Sequence, residues 1–187
     1  MTDKIKHPRD KALAVAQTFV LALSPFCERI EVAGSIRRNK PEVGDIELLF
    51  IPKTGERDAD MLTKEKYDMA DDAINKLLRF GTIRQRPNTR GSVTWGLKNK
   101  LAVHVASGIP IDFFATTDDN WFTSLVIRTG GKDTNLLLTT SAQRAGNTLN
   151  AYGAGITTGG GKIIRAESEQ HLFELCGVKY IEPEKRR

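Results

Sequence analysis

Asp45 and Glu47 stand two residues apart in the run Gly44-Asp45-Ile46-Glu47, which leads into the apolar Leu48-Leu49-Phe50-Ile51. Side chains alternate across an extended strand, so both carboxylates share one face while Ile46 turns into a core. Two carboxylates crowded together repel and raise each other's pKa unless a cation accompanies them. An all-oxygen donor set selects hard ions, Mg2+ or Mn2+. Upstream, Gly34-Ser35 at the start of a helix offers backbone N–H groups and a hydroxyl, and Arg37 and Arg38 follow with guanidinium groups suited to phosphate oxygens. Together these residues read as a site for a metal-bound triphosphate. Asp112, flanked by Ile111 and Phe113, is a third carboxylate in a buried-looking strand. It needs a partner, and the Asp45/Glu47 cation is the best available. Arg84, Arg86 and Arg90 fall in a basic turn shortly before Trp95, a pattern that suits either a DNA backbone contact or simple surface charge.

The elements that must position these groups follow from periodicity. Ala12, Val15, Ala16, Phe19, Val20 and Leu23 keep a helical interval and predict an amphipathic helix over 8–25. Alternation over 27–33 predicts a strand that delivers the chain to Gly34, and the strand carrying Glu47 ends at Pro52. Residues 39–43 and 52–60 read as turn-rich connections. A second helix marked by Tyr67, Ala70, Ile74, Leu77 and Leu78 ends near Gly81, with Asp71 and Asp72 on its solvated face. Two more strands, 101–105 and 109–115, flank a hairpin turn at Ser107-Gly108. Asp118-Asp119-Asn120 suits an N-cap for a short helix that stops at Thr129-Gly130, and Asn135 opens another helix, closed by Gly146. A hairpin surrounds Gly159-Gly160-Gly161, and a last helix runs from a Ser168 cap to Gly177.

The chain has 187 residues, 40% of them hydrophobic, enough for one compact unit or two small ones sharing an interface. Its formal net charge of +5 favours a polyanionic partner, for which nucleic acid is the natural candidate. There is no run of about 18 apolar residues and no basic-then-apolar leader, so the expected setting is cytoplasmic, with no membrane partner. Cys27 and Cys176 lack zinc or redox spacing and read as unpaired structural thiols. His104 and His171 have no ligand-spaced partners.

Gly34-Ser35, Arg37-Arg38, Gly44-Asp45, Glu47 and Asp112, in that order, resemble the nucleotidyltransferase signature of the family X DNA polymerases. Thr129-Gly130 with Asn135 resembles that family's nucleotide-binding turn, and the stretches 149–152, 168–173 and 178–183 resemble its C-terminal thumb. The resemblance implies an α+β fold. A nucleotidyltransferase-type palm, a mixed or antiparallel sheet with helices on one face, would span 1–118, and a small α/β thumb would span 119–187. It also implies template-directed addition of nucleotides to a primer 3′ end in short gaps, by two-metal phosphoryl transfer with Mg2+ or Mn2+. Asp45 and Glu47 would bridge both ions, and Asp112 would complete the site of the catalytic one. Ser35, Arg38 and the Gly34 and Gly44 backbone would hold the β- and γ-phosphates, with Arg37 nearby. Thr129-Gly130 would bracket the sugar, and Asn135 would reach the base. Lys6 stands where the family directs a basic side chain toward the triphosphate, a position equally suited to a solvated helix start.

Three departures from the family pattern stand out. Glu47 occupies a position where Asp is usual, which moves the oxygen pair by about 1 Å and favours Mn2+. Ile127-Arg128 replaces two aromatics that crowd the sugar 2′ position, so NTPs join dNTPs as candidate substrates. Pro110 stands in place of a basic residue two before the third carboxylate, and Thr139 in place of a template-contacting arginine. The lyase and helix-hairpin-helix fingers domains are expected to be absent, giving a minimal monomer similar in extent to the small viral repair polymerases, acting on gapped or primer-template DNA. Two other readings share these residues: a template-independent nucleotidyltransferase, and a non-catalytic nucleic-acid-binding protein.

Overall fold

The computed structural model describes residues 5–59 and 63–187. Residues 1–4 of the polar start and Asp60 of the turn-prone stretch lie outside the described residues. A short strand β1 (His7–Pro8) enters helix α1 (Arg9–Leu23), and β2 (Cys27–Val32) leads into the four-residue helix α2 (Gly34–Arg37). Next come β3 (Glu42–Val43), β4 (Ile46–Pro52), the hairpin β5 (Thr54–Asp58) and β6 (Lys64–Asp68), and helix α3 (Met69–Arg79). Strands β7 (Ile83–Gln85), β8 (Asn99–His104) and β9 (Pro110–Ala115) complete the main sheet. The rest comprises α4 (Trp121–Thr129), α5 (Lys132–Arg144), β10 (Thr148–Leu149), β11 (Gly155–Thr157), β12 (Ile163–Arg165) and α6 (Glu169–Leu175).

The main sheet has the order β2-β4-β9-β8-β7, with β4 and β9 parallel and the other neighbours antiparallel. Alternation along β4 sends Ile46, Leu48 and Phe50 to one face, where Ile111 and Phe113 of β9 join them. On that face α1 contributes Ala12, Ala16, Phe19 and Leu23, a stripe at helical spacing, and α3 contributes Ala70, Ala73 and Ile74. Leu49 and Phe114 point to the opposite face, where Trp121 and Leu125 of α4 cover them. The α+β character is as expected. Helix α4, which lies beyond residue 118, covers the second face because Leu49, Phe114 and the partly buried Ile51 make it apolar too.

A second core joins Val126 of α4 to Leu138 and Ala142 of α5, Leu149, Ile156, and Leu172 and Phe173 of α6. Helix α4 thus serves both cores, with Trp121 and Leu125 facing the sheet and Val126 facing away from it.

Several local expectations are revised. The stretch after Pro52 forms the β5–β6 hairpin, whose charged residues pair across strands: Arg57 donates to Glu65 at 2.6 Å and lies over Tyr67. Tyr67 therefore lies in a strand, and Asp68, which ends it, caps α3 by accepting from the Asp71 N–H at 2.7 Å. Asp71 is not on a purely solvated face, since it binds the buried Lys100 ammonium. Helix α5 begins three residues before Asn135, with Gly131 as its N-cap. Asn120 caps α4 without a side-chain hydrogen bond, its amide reaching the Tyr152 carbonyl at 2.9 Å, while Arg165 takes Asp118 and Asp119. Residues 148–149 add a third strand to the glycine hairpin. Ser168 caps α6, accepting from the His171 N–H at 2.9 Å, and Gly177 follows that helix at φ +68°. Both cysteines are free and buried, and burial raises the Cys27 thiol to about 12 and the Cys176 thiol to about 11.

Candidate active site

The parallel register of β4 and β9 sets Glu47 opposite Asp112. Both leave the sheet on the face that carries Leu49 and Phe114, at the rim of the surface covered by α4. Asp45 lies one residue before β4 and faces Glu47 closely enough to act on its ionisation. Burial, then the charges of Asp45 and Asp112, push the Glu47 carboxyl up to about 8, against the opposing pull of Arg128 and Arg38. Gly34 lies immediately beside this carboxylate, and a Cβ built on it would overlap Glu47 Oε2. Its φ of +64° is a second reason for glycine here.

Helix α2 follows from that turn. Ser35 Oγ is buried and makes no hydrogen bond among the described residues, and the same holds for Arg38 Nε. Buried donors are ordinarily satisfied, so an orphaned hydroxyl and guanidinium N–H beside a carboxylate cluster point to a ligand with acceptor oxygens. The other end of Arg38 donates through Nη1 to the Thr129 carbonyl. Burial lowers the Arg38 pKa, with Glu47 and Asp45 partly restoring it. Gly130, at φ +68°, keeps the turn against Arg38, since a Cβ there would lie 3.0 Å from Nη1. Gly44 is buried within the connection that enters β4.

Arg37 turns away from this group. It donates to Thr129 Oγ1 at 2.9 Å and to both oxygens of Glu169, at 3.0 and 2.5 Å, tying α2 to α6. Glu169 also accepts from Arg186 at 2.8 Å, and Arg186 is fully buried over Phe173 and Tyr180. Asn135 donates from Nδ2 to the Ile127 carbonyl at 2.9 Å, with its Oδ1 buried and unpartnered. Thr139 is spent on the Asn135 carbonyl. Lys6 is exposed, and the pairing of His7 with Val43 brings it level with Gly44. Arg84 and Arg90 are both exposed, but Arg84 belongs to β7, paired with Val103, and only Arg90 lies in the loop expected as a basic turn.

Arg86, grouped by sequence with those surface arginines, is directed inward. Its Nη2 donates to both oxygens of Asp112, at 2.5 and 2.7 Å. The missing basic residue at Pro110 signals that Asp112 must find its cation elsewhere, but nothing in the sequence says where. Arg128 is the other cation that sequence reasoning leaves unassigned. Its guanidinium lies 3.7 Å over the Phe114 ring, donates to the Tyr152 hydroxyl at 3.1 Å, and acts on Glu47.

The three carboxylates supply only hard oxygen donors, and their mutual repulsion raises Glu47, so donor type and charge both fit a divalent cation. Among the described residues, no three acidic, histidine or cysteine side chains converge closely enough to hold a metal as they stand, and Asp112 is engaged by Arg86. Also among the described residues, no helix is long and apolar enough to cross a membrane.

Residues 124–187 match the family model described as DNA polymerase beta thumb. The match begins inside α4 and takes in α5, the three-stranded sheet and α6, leaving the carboxylate strands outside it. No curated protein matches the chain. The thumb match supports a polymerase beta-like relationship and a DNA-binding, polymerase-like role.

Proposed function

We propose that this protein is a nucleotidyltransferase of the DNA polymerase beta type that extends a primer 3′ end in short gaps under direction of a template. The observation that carries the reading is the pair of orphaned buried donors, Ser35 Oγ and Arg38 Nε, beside a carboxylate pushed up to about 8 by burial and then by its acidic neighbours. Unsatisfied donors next to excess negative charge suit one ligand class, a polyphosphate that arrives with its own divalent cations.

Residues 1–118 would carry the chemistry, and 119–187 would hold DNA against it. Asp45, Glu47 and Asp112 would hold two divalent ions, Mg2+ or Mn2+, which supply charge neutralisation for phosphoryl transfer when bound. Ser35, Arg38 and the backbone of Gly34 and Gly44 bind the β- and γ-phosphates. Thr129-Gly130, fixed by Arg37 and Arg38, brackets the sugar. Asp112 accepts the proton of the primer 3′-hydroxyl. Arg37 supports this site from below, through Thr129 and Glu169.

The test is primer extension with Mg2+ or Mn2+ on a one-nucleotide-gapped duplex and on a single-stranded primer, offering dNTPs and NTPs, with Asp112→Ala as control. Incorporation dictated by the template base and lost in the control is the expected result. Extension that ignores the template would reassign the chain to a terminal transferase, and activity surviving Asp112→Ala would reject the carboxylate assignment.

A further inference from the structure

The Arg86–Asp112 contact differs from the other buried arginine pairs. Arg37 and Arg186 share Glu169 through separate nitrogens, with Arg37 gripping both oxygens fork to fork. Arg86 instead spans both oxygens of Asp112 with a single nitrogen, Nη2. Its Nε is buried and unpartnered, and its Nη1 makes one long bond, 3.4 Å, to the Pro87 carbonyl. One positive centre between both oxygens of a carboxylate occupies the space that a metal ion bound to that carboxylate would need. The Asp112 side chain is 8% exposed, so a charge there requires compensation at all times.

Arg86 sits where the sheet gives way to a loop. The residue stands one position beyond β7, held by its N–H to the Leu101 carbonyl at 3.1 Å. The largely exposed loop after it is closed by the isolated bridge Pro87–Val93 and by local hydrogen bonds such as Asn88 N–H to the Ser92 carbonyl at 2.8 Å, and is anchored further on by Trp95. The Arg86 side chain remains 21% exposed, against 8% for Asp112, so it is the solvent-facing member of the pair.

We infer that Arg86 is a resident stand-in for the cation on Asp112: it orients and neutralises the third carboxylate until a divalent ion arrives, and that ion must displace it. This rests on reading the three carboxylates as a metal site, and it makes Arg86 a positioning residue that competes with metal. It also accounts for why Asp45, Glu47 and Asp112 do not converge on a metal position among the described residues. Once displaced, the guanidinium is free to meet phosphate oxygens at the site entrance.

The experiment is Mn2+ binding to the nucleotide-free full chain, followed by electron paramagnetic resonance of the free ion. Arg86→Gln should bind Mn2+ about five- to twentyfold more tightly than wild type, since it removes a charge-assisted competitor. Arg128→Gln removes the same charge, one that acts on Glu47, while leaving the Arg86–Asp112 contact in place, and sets the purely electrostatic part. The Arg86 effect must exceed it, with Arg86→Lys in between. In the wild-type chain, the Arg86 side-chain 15N resonance should shift on Mg2+ titration, which keeps the inference testable if Arg86→Gln folds poorly. Equal effects of Arg86→Gln and Arg128→Gln, weaker Mn2+ binding in Arg86→Gln, or an Arg86 resonance that ignores Mg2+ would overturn displacement. Asp45→Asn separates the two claims: if it abolishes Mn2+ binding, the metal site stands whatever Arg86 does. If no variant binds Mn2+, both fall.

Discussion

Two glutamates turned toward the interior of this molecule experience opposite fields. Burial raises both. Glu169 meets two guanidinium groups, Arg37 and the fully buried Arg186, whose hydrogen bonds and charges hold its carboxyl below the ordinary glutamate value. Glu47 meets two more carboxylates, with Arg38 and Arg128 opposing them only in part, and is driven up to about 8. The first arrangement gives both carboxylate oxygens guanidinium partners, leaves Arg186 Nη1 without one, and joins α2 to α6. The second concentrates negative charge beside a hydroxyl and an N–H that have no partner. A chain has no folding reason to build the second, which costs stability unless a ligand completes it.

Removing the acidic partner breaks the contrast most strongly. Asp45→Asn should lower primer extension by about a thousandfold or more, because it removes charge that acts on the transition state. The same substitution should raise the melting temperature of the metal-free protein at pH 8, by relieving Glu47. A variant that lost both activity and stability would make Asp45 a structural residue.

Glu169→Gln is the complementary break. It leaves Arg37 and Arg186 without the counter-charge they share, and loss of one partner from a buried pair costs about 3–5 kcal/mol. Denaturant unfolding should show that loss in full with no metal present. A cost below about 1 kcal/mol would mean the cluster is solvated in practice.

How these groups are placed was only partly legible in the sequence. Asp45, Glu47 and Asp112 announce themselves because period-two alternation is local: each sits beside apolar residues that fix which face it takes. The helix α1 stripe and the Ser168 cap are readable for the same reason. Arg86 is not, because its contact with Asp112 spans 26 residues and depends on how β7 and β8 align. Neither is Arg37, whose partner Glu169 lies 132 residues away. The β5–β6 hairpin hides behind charges that look turn-like in one dimension and pair in three. The parallel β4–β9 register, which decides that Glu47 faces Asp112, leaves no mark in either strand alone.

A pH series sharpens the comparison, because the two glutamates move stability in opposite directions. Glu47 carries a folded-state value above its ordinary 4.5, so the native protein holds a proton that the unfolded chain releases. Metal-free stability should therefore fall as pH rises from about 4.5 to about 8, by on the order of 4 kcal/mol. Glu47→Gln should flatten that slope, and saturating Mg2+ or Mn2+ should reverse it. Glu169 has the opposite sign: its contribution is present above the ordinary glutamate value and is lost as pH falls through its lowered one. Chemical denaturation of wild type and Glu47→Gln from about pH 3 to about pH 8.5 reads both slopes, and parallel curves above about pH 4.5 would remove the case for a raised Glu47.

Ser35→Ala is the smallest perturbation and the most discriminating. A buried hydroxyl with no partner contributes nothing to folding and carries a desolvation cost, so its removal should leave stability unchanged or raise it by about 1 kcal/mol or less. If that hydroxyl awaits a phosphate oxygen, the same variant should raise the KM for the incoming nucleotide by about tenfold, one charge-assisted hydrogen bond, with a smaller change in kcat. Thermal melts and steady-state extension kinetics measure the two sides separately. A serine kept for folding would show the reverse pattern, lower stability with an unaltered KM, and the orphaned hydroxyl would then belong with the satisfied Glu169 clamp rather than with the site it faces.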